Sequence, residues 1–270
     1  MEVGFIMKKR LILITLCLYL LFSFVPLFAQ NSIVVSSYPL LSLVTLLFPK
    51  AKIYSLLPPK GDFHHYELKP KDLQTIKQAD FVIIVGSEPW AKRVFSLKSK
   101  KVLSLASPQE KLKDPHVWFS LERVERLVKE VSPFAEKNEV EKVLAEIQDL
   151  KKERAKFASC KNKTFFHLGH KVFYYLIEGT GIEEVPLITG HYHGEISPGK
   201  LMNFLKSLEA KGIKRVLVSS SEFAKYENYF KAKGYEVIRA YSGDEPTEMT
   251  YQEFIRHNIS AIRKALYCEE

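Results

Sequence analysis

Cysteine is scarce in this chain. Three occur in 270 residues, and Cys17 lies inside an apolar N-terminal run, so only Cys160 and Cys268 belong to the body of the protein. Neither has the close-spaced partner of a thiolate zinc site, which excludes a finger-type metal module. There is no His-Glu-x-x-His and no nucleophile motif, so the sequence carries no hydrolase signature. Internal repeats and low-complexity tracts are absent too, which argues against a solenoid or a disordered scaffold. Massed charge is also missing. Lys and Arg number 40 against 31 Asp and Glu, a net charge of +9, but the cations are spread along the chain. Spread lysines make a solvated basic surface, not a nucleic-acid stripe, and leave attraction to an anionic membrane surface open.

What is present describes an ordinary globular chain. Hydrophobic residues make up 46% and charged residues 26%, enough for one large or two medium domains with a sizeable core. Met7-Lys8-Lys9-Arg10 is a basic start, Leu11 to Phe28 is almost wholly apolar, and Ala29-Gln30 is a cleavage point. Residues 1–29 thus read as a secretory signal peptide, with an uncleaved anchor helix as the alternative. Met7 is the expected start. Removing residues 1–29 takes away three cations and one anion, and the charge falls to +7. After export, Cys160 and Cys268 read either as a disulfide or as two buried free thiols.

Strands alternate with helices over most of the remainder. Strand-like runs fall at Ser32 to Ser36, Ala51 to Leu57, Phe81 to Val85 and Lys101 to Leu105. Helical segments fall at Tyr38 to Phe48 and Lys71 to Gln78, and a basic helix follows Glu88-Pro89-Trp90. From Ser120 to Ser159 the period becomes helical throughout, interrupted only at Pro133. A long charge-rich amphipathic helix is expected there, acting as a rigid strut. Alternation then resumes. Strands are expected at Thr164 to Leu168, Glu184 to Leu187, Arg215 to Val218 and Tyr235 to Arg239; helices at Lys171 to Glu178, Pro198 to Ala210 and Tyr251 to about Tyr267. Such alternation implies α/β architecture, parallel sheets with helices on their faces.

The stretch that concentrates chemistry is Leu56-Leu57-Pro58-Pro59-Lys60-Gly61-Asp62-Phe63-His64-His65-Tyr66-Glu67. A strand ends at two prolines, and two imidazoles, a phenol and a carboxylate follow. His116 lies in Asp114-Pro115-His116-Val117-Trp118, His170 ends a strand, and His191 and His193 sit in Gly190-His191-Tyr192-His193-Gly194-Glu195. These are loop positions near strand ends, where open α/β sheets bind ligands. His167 falls within a strand and His257 on the last helix, so both read as packing residues. Neutral imidazole is the commonest nitrogen ligand for zinc and its neighbours. Histidines spread over several loops fit a site assembled between domains.

On these motifs the chain resembles the periplasmic zinc/manganese-binding components of ABC importers, the ZnuA/TroA type. The Asp62-Phe63-His64-His65-Tyr66-Glu67 stretch is similar to that family's first ligand motif, with Phe63 in place of its usual proline, and Pro70-Lys71-Asp72-Leu73 continues it. Glu88-Pro89-Trp90 and Asp114-Pro115-His116-Val117-Trp118 are further signatures. Counting back from Thr180-Gly181-Ile182 puts His170 on the third ligand, and Tyr251…Asn258 matches the closing helix. The resemblance implies a TroA-like fold: two lobes (30–119 and 160–270), each a parallel sheet with flanking helices, joined by one long backbone helix (120–159). It implies His64, His116 and His170 as metal ligands, with Glu67 and His65 as supporting groups. The family's fourth ligand has no clear counterpart in Arg239-Ala240-Tyr241-Ser242. Asp244, Glu245, His191 and His193 are the candidates, with a water as the alternative.

The implied function is extracytoplasmic capture of a divalent transition metal, zinc first and manganese or iron as alternatives. The metal would pass to an ABC-type membrane permease, with the chain acting as a monomer and without nucleic acid. The rivals are a zinc hydrolase using the same histidines with Glu67 as base, and a metal-free binding protein or adhesin. The expected pair Cys160–Cys268 would tie the start of the second lobe to its last helix.

Overall fold

The computed structural model describes residues 31–59, 61–97, 101–190 and 196–268. The expected signal peptide, and His191 and His193, lie outside the described residues. From Asn31 onward the chain forms one compact unit, and no helix among the described residues is long and apolar enough to cross a membrane.

Two four-stranded parallel sheets organise the fold. The first contains β1 (Ser32–Val35), β2 (Lys52–Ser55), β3 (Phe81–Ile84) and β4 (Lys101–Ser104) in the order β2-β1-β3-β4. The second contains β5 (Thr164–His170), β6 (Glu183–Ile188), β7 (Arg215–Val218) and β8 (Glu236–Arg239) in the order β6-β5-β7-β8. The two orders are the same with the numbering advanced by four. All six pairings are parallel, so each strand needs a crossover, and the helices supply it.

In the first lobe the crossovers are α1 (Tyr38–Leu47), α2 (Pro70–Gln78) and α3 (Ala91–Phe95). Ser37 caps α1 through its hydroxyl, and Pro39 occupies its first turn, where no N–H is needed. Strand β1 shows why both faces must be covered. Ile33 and Val35 enter one core with α1, while Val34 enters another with Ile76, Trp90 and Val94. A strand buried on both faces reads as an unbroken apolar run.

The helical stretch after β4 departs from the expected single strut. It folds as α4 (Leu121–Val131), a 3-10 turn at Ser132–Phe134, and α5 (Lys137–Ala155). The two helices lie antiparallel, with Glu122 paired to Arg154 at 2.9 Å and Glu125 paired to Lys151. The physical reason is the break at Pro133, which lacks the N–H that would continue the helix. The 19-residue α5 is the spanning element. It packs on α1 of the first lobe, on α4, and on α10 (Tyr251–Ala265) of the second. At 1.5 Å per residue it is about 28 Å long.

The second lobe adds α6 (Tyr174–Ile177), α7 (Pro198–Ala210), α8 (Ser221–Ala224) and α9 (Glu227–Ala232). The helix expected from Lys171 begins only at Tyr174, because Val172 and Phe173 give their N–H groups to Glu184 (3.2 and 3.0 Å). Phe166, Leu168, Phe204, Leu208 and Phe230 form the outer core of this lobe. The inner core joins both lobes without a break, from Ile33 and Ile83 through Trp118 and Ile147 to Phe165, Leu217 and Ile259. Cys160 and Cys268 form a disulfide, closing the start of this lobe onto the end of α10.

Candidate metal centre

Four loops converge at the carboxyl ends of the strands. His64 follows β2, His116 follows β4, His170 ends β5, and Asp244 follows β8. Local chemistry places the first two. Asp62 Oδ1 accepts the backbone N–H of His64 at 2.9 Å, and Asp114 Oδ1 accepts that of His116 at 2.8 Å. Both are Asp-x-His turns in which a carboxylate satisfies the amide two residues on. Phe63 is buried between His64 and Trp118, with ring centroids 5.4 and 4.9 Å away. Phe63 therefore occupies the position of the missing proline as a packing residue.

Asp114 also fixes the proton on His116. Its Oδ1 lies 2.6 Å from His116 Nδ1, and both side chains are buried. A carboxylate oxygen that already takes a backbone N–H accepts here too, so Nδ1 carries the hydrogen and Nε2 presents its lone pair. That lone pair faces two other imidazoles. His64 Nε2 and His170 Nε2 each lie 3.2 Å from His116 Nε2.

Asp244 closes the group. Its carboxylate oxygens lie 3.8 Å from Nε2 of His64, His116 and His170. One ligand atom from each of the four residues falls within 4.8 Å of every other. An ion with bonds of 2.0–2.1 Å sets tetrahedral ligand atoms about 3.3 Å apart, so the group has the span of one ion. Asp244 Oδ1 is buried and has no hydrogen-bond partner among the described residues. Leaving a carboxylate oxygen buried and unbonded is costly unless a cation completes it. Burial pushes the Asp244 carboxyl up to about 7; the Ser242 hydroxyl opposes this, and the nearby carboxylates of Asp62, Glu245 and Asp114 add to it.

The loop carrying Asp244 is set by distant residues. Trp118 Nε1 donates to Ser242 O at 3.0 Å, and Tyr251 Oη donates to Trp118 O at 2.8 Å. Asn258 Oδ1 accepts the N–H of Tyr241 at 2.9 Å. Gly243 has φ +91°, and a Cβ there would sit 2.6 Å from Trp118 Nε1. Only glycine permits that approach.

The other candidates fall outside the cluster. Glu67 is exposed and makes no hydrogen bond to these imidazoles among the described residues. The supporting carboxylates are instead Asp62 and Asp114, which the Asp-x-His repeat in the sequence could have revealed. His65 is exposed, with Nδ1 2.6 Å from Asp62 Oδ2, so it steadies the turn from outside. Glu245 turns away and accepts from the N–H and hydroxyl of Ser221 at 2.9 and 2.6 Å. His167 is buried in β5, and His257 Nε2 meets Arg239 O at 2.9 Å, both clear of the cluster.

A family model described as ZnuA, zinc-uptake complex component A, periplasmic, matches residues 33–265. The chain belongs to this family. It is 23% identical over 278 residues to the high-affinity zinc uptake system protein ZnuA of Bacillus subtilis, covering 87% of each chain. It is 27% identical over 252 residues to the manganese-binding lipoprotein MntA of the same organism, covering 80% of this chain and 82% of that one. The Zn(II)-bound ZnuA-like domain of Streptococcus pneumoniae AdcA has the same fold, with a TM-score of 0.74 at 20% identity over 88% of this chain and 99% of that one. The protein is thus a metal-binding solute-binding protein of the ABC-importer type, with the two-lobed ZnuA architecture.

Proposed function

We propose that this protein captures zinc outside the cytoplasm, holds it with His64, His116, His170 and Asp244, and hands it to an ABC-type membrane permease. The observation that carries this reading is the convergence of three imidazole Nε2 atoms on the carboxylate of Asp244, whose Oδ1 is buried without a hydrogen-bond partner among the described residues. Three neutral nitrogens and one carboxylate favour zinc over the harder divalent ions. The manganese-binding relative keeps manganese as the rival cargo, with iron behind it. The hydrolase reading needs a base beside the ion, and its candidate, Glu67, is exposed and makes no hydrogen bond to these imidazoles among the described residues.

The continuous core beneath both sheets and the packing of α5 on both lobes oppose a wide clamshell opening. Loading and release then fall to the four loops. Competition titration of the purified chain with a zinc chelator tests the assignment. Alanine at His64, His116, His170 or Asp244 is expected to weaken zinc binding on the order of a hundredfold or more, about 3 kcal/mol or more. Alanine at Glu67 or His257 is expected to leave binding unchanged. Equal behaviour of all six variants would sink the assignment, and tighter binding of manganese than of zinc would replace the cargo.

A further inference from the structure

A second set of polar side chains is buried beneath the centre. His167 Nε2 lies 2.7 Å from Ser219 Oγ, and His167 Nδ1 lies 2.8 Å from Glu184 Oε1. Ser219 is 4% exposed, Glu184 5% and His167 not at all. The order Ser–His–Glu is that of a nucleophile with its base and orienting carboxylate. Nothing can reach it there, so its bonds serve the protein's own backbone. Glu184 Oε1 and Oε2 accept the N–H groups of Val172 and Phe173, the residues just beyond His170.

The strand is altered at the same place. The pairing of β5 with β6 shifts between His167 and His170, with His167 opposite Pro186 and His170 opposite Ile188. Three steps on β5 match two on β6, which is one extra residue. A bulge re-aims the side chain that follows it, and here that side chain is His170. Gly169 sits inside the bulge, and a Cβ on it would come 2.8 Å from His167 Nε2. His167 thus packs beneath the bulge, while Glu184 holds the backbone leaving it.

We infer that Ser219, His167 and Glu184 are positioning residues that brace the bulge and aim His170 into the metal centre. Two backbone donors mark the carboxyl of Glu184 as an acceptor, so His167 Nδ1 donates to it. In the neutral ring Nε2 then accepts from the Ser219 hydroxyl. The chain of bonds runs from β7, through β5, to β6 and back to the segment after His170. It sets one ligand without touching the ion. His64 and His116, in contrast, take their support from aspartates in their own turns.

This inference rests on His170 being a ligand, and a double-mutant cycle separates the two ideas. Zinc affinity is measured by chelator competition for Glu184→Gln, His170→Ala and the double variant, well below the melting temperature of each. Gln offers one acceptor in place of two, so Glu184→Gln alone is expected to weaken binding about 10- to 100-fold. In the His170→Ala background it is expected to change binding by no more than about twofold, because the ligand it aims is gone. The Co(II) form of Glu184→Gln is expected to show an altered visible absorption spectrum. An equal loss in both backgrounds, or no loss in either, overturns the brace. If His170→Ala itself binds zinc normally, the ligand assignment falls, and the brace with it. Should Glu184→Gln fail to fold, Ser219→Ala takes its place in the same cycle. It breaks only the far end of the chain, and a few-fold loss that disappears without His170 is expected.

Discussion

The two lobes carry nearly the same sheet and build their halves of the centre in opposite ways. The first lobe works locally. Each of its imidazoles follows an aspartate by two residues, and that aspartate ties down the backbone of the turn. The second lobe works at a distance. His170 depends on a bulge braced from β6 and β7, and Asp244 on Trp118, Tyr251 and Asn258. Short-range contacts survive whatever the rest of the chain does, whereas long-range ones exist only once the lobes have packed. The first lobe therefore resembles a preset half-site, and the second a half-site assembled by folding.

The largest expected effect comes from Trp118, where the two halves meet. It is fully buried, lies 5.2 Å from the His116 ring, and bonds the Asp244 loop. Trp118→Ala is expected to cost about 3–5 kcal/mol of stability, read by denaturant unfolding. It should also loosen the Asp244 loop more than the Asp114-held His116. If stability stays within about 0.5 kcal/mol of wild type, the lobes do not depend on each other as described.

The disulfide comes next. Cys160 and Cys268 lie 108 residues apart. Reduction is expected to cost about 2–4 kcal/mol, with a matching fall in melting temperature under reductant. Thiol titration of the denatured, unreduced chain should find no free thiol at either position. Finding two would refute the bridge. Because Cys268 lies just beyond α10, which carries Tyr251 and Asn258, the loss should fall on the second half-site.

A smaller change isolates the first lobe. Asp114→Asn keeps the size of the side chain and can still accept the N–H of His116. Its amide is a weaker partner for Nδ1 than the carboxylate. Zinc affinity is expected to fall about 10- to 100-fold, with little change in the melting temperature of the metal-free chain. Chelator competition and calorimetry together check this. A large stability loss without loss of affinity would mean that Asp114 is a core residue and not a support for the ring.

The subtlest test is pH. The Asp244 carboxyl is pushed up to about 7, first by burial. The folded metal-free chain keeps a proton that the unfolded chain gives up near 4. Between about 4 and 7 the native state therefore binds more protons, and this group's contribution to stability declines as pH rises through that window. Asp244→Asn is expected to remove that part of the slope in a series of melting temperatures. Zinc must displace the same proton, so wild-type affinity should weaken as pH falls below about 7. An unchanged slope in Asp244→Asn would show that the carboxyl is already ionised across the range.

Much of the fold could be read from the residues. Unbroken apolar runs such as Phe81 to Val85 foretold strands buried on both faces, and Pro198 foretold the start of α7. Several histidines stood out because they lie near strand ends, and the family resemblance picked His64, His116 and His170 from among them as candidate ligands. Pro133 was visible as an interruption, yet the antiparallel pairing of α4 and α5 was not. That pairing depends on contacts such as Glu122–Arg154, 32 residues apart, which periodicity does not encode. The family resemblance gave Glu67 as the supporting carboxylate. The structure gives that work to Asp62 and Asp114, whose side chains point back along their own turns.

By itself, then, the sequence determined the alternation of strands and helices, the parallel-sheet architecture that it implies and the placing of histidines near strand ends. These follow from local pattern, the periods of burial and the chemistry of turns. Only the tertiary structure decided the fourth member. Asp244 and Glu245 are neighbours with the same functional group, and nothing local separates them. The choice falls to Gly243, which lets the loop pass against Trp118, and to Ser221, whose N–H and hydroxyl draw Glu245 away. A carboxylate becomes a candidate ligand here because packing buries one of its oxygens without a hydrogen bond at the point where three imidazoles meet.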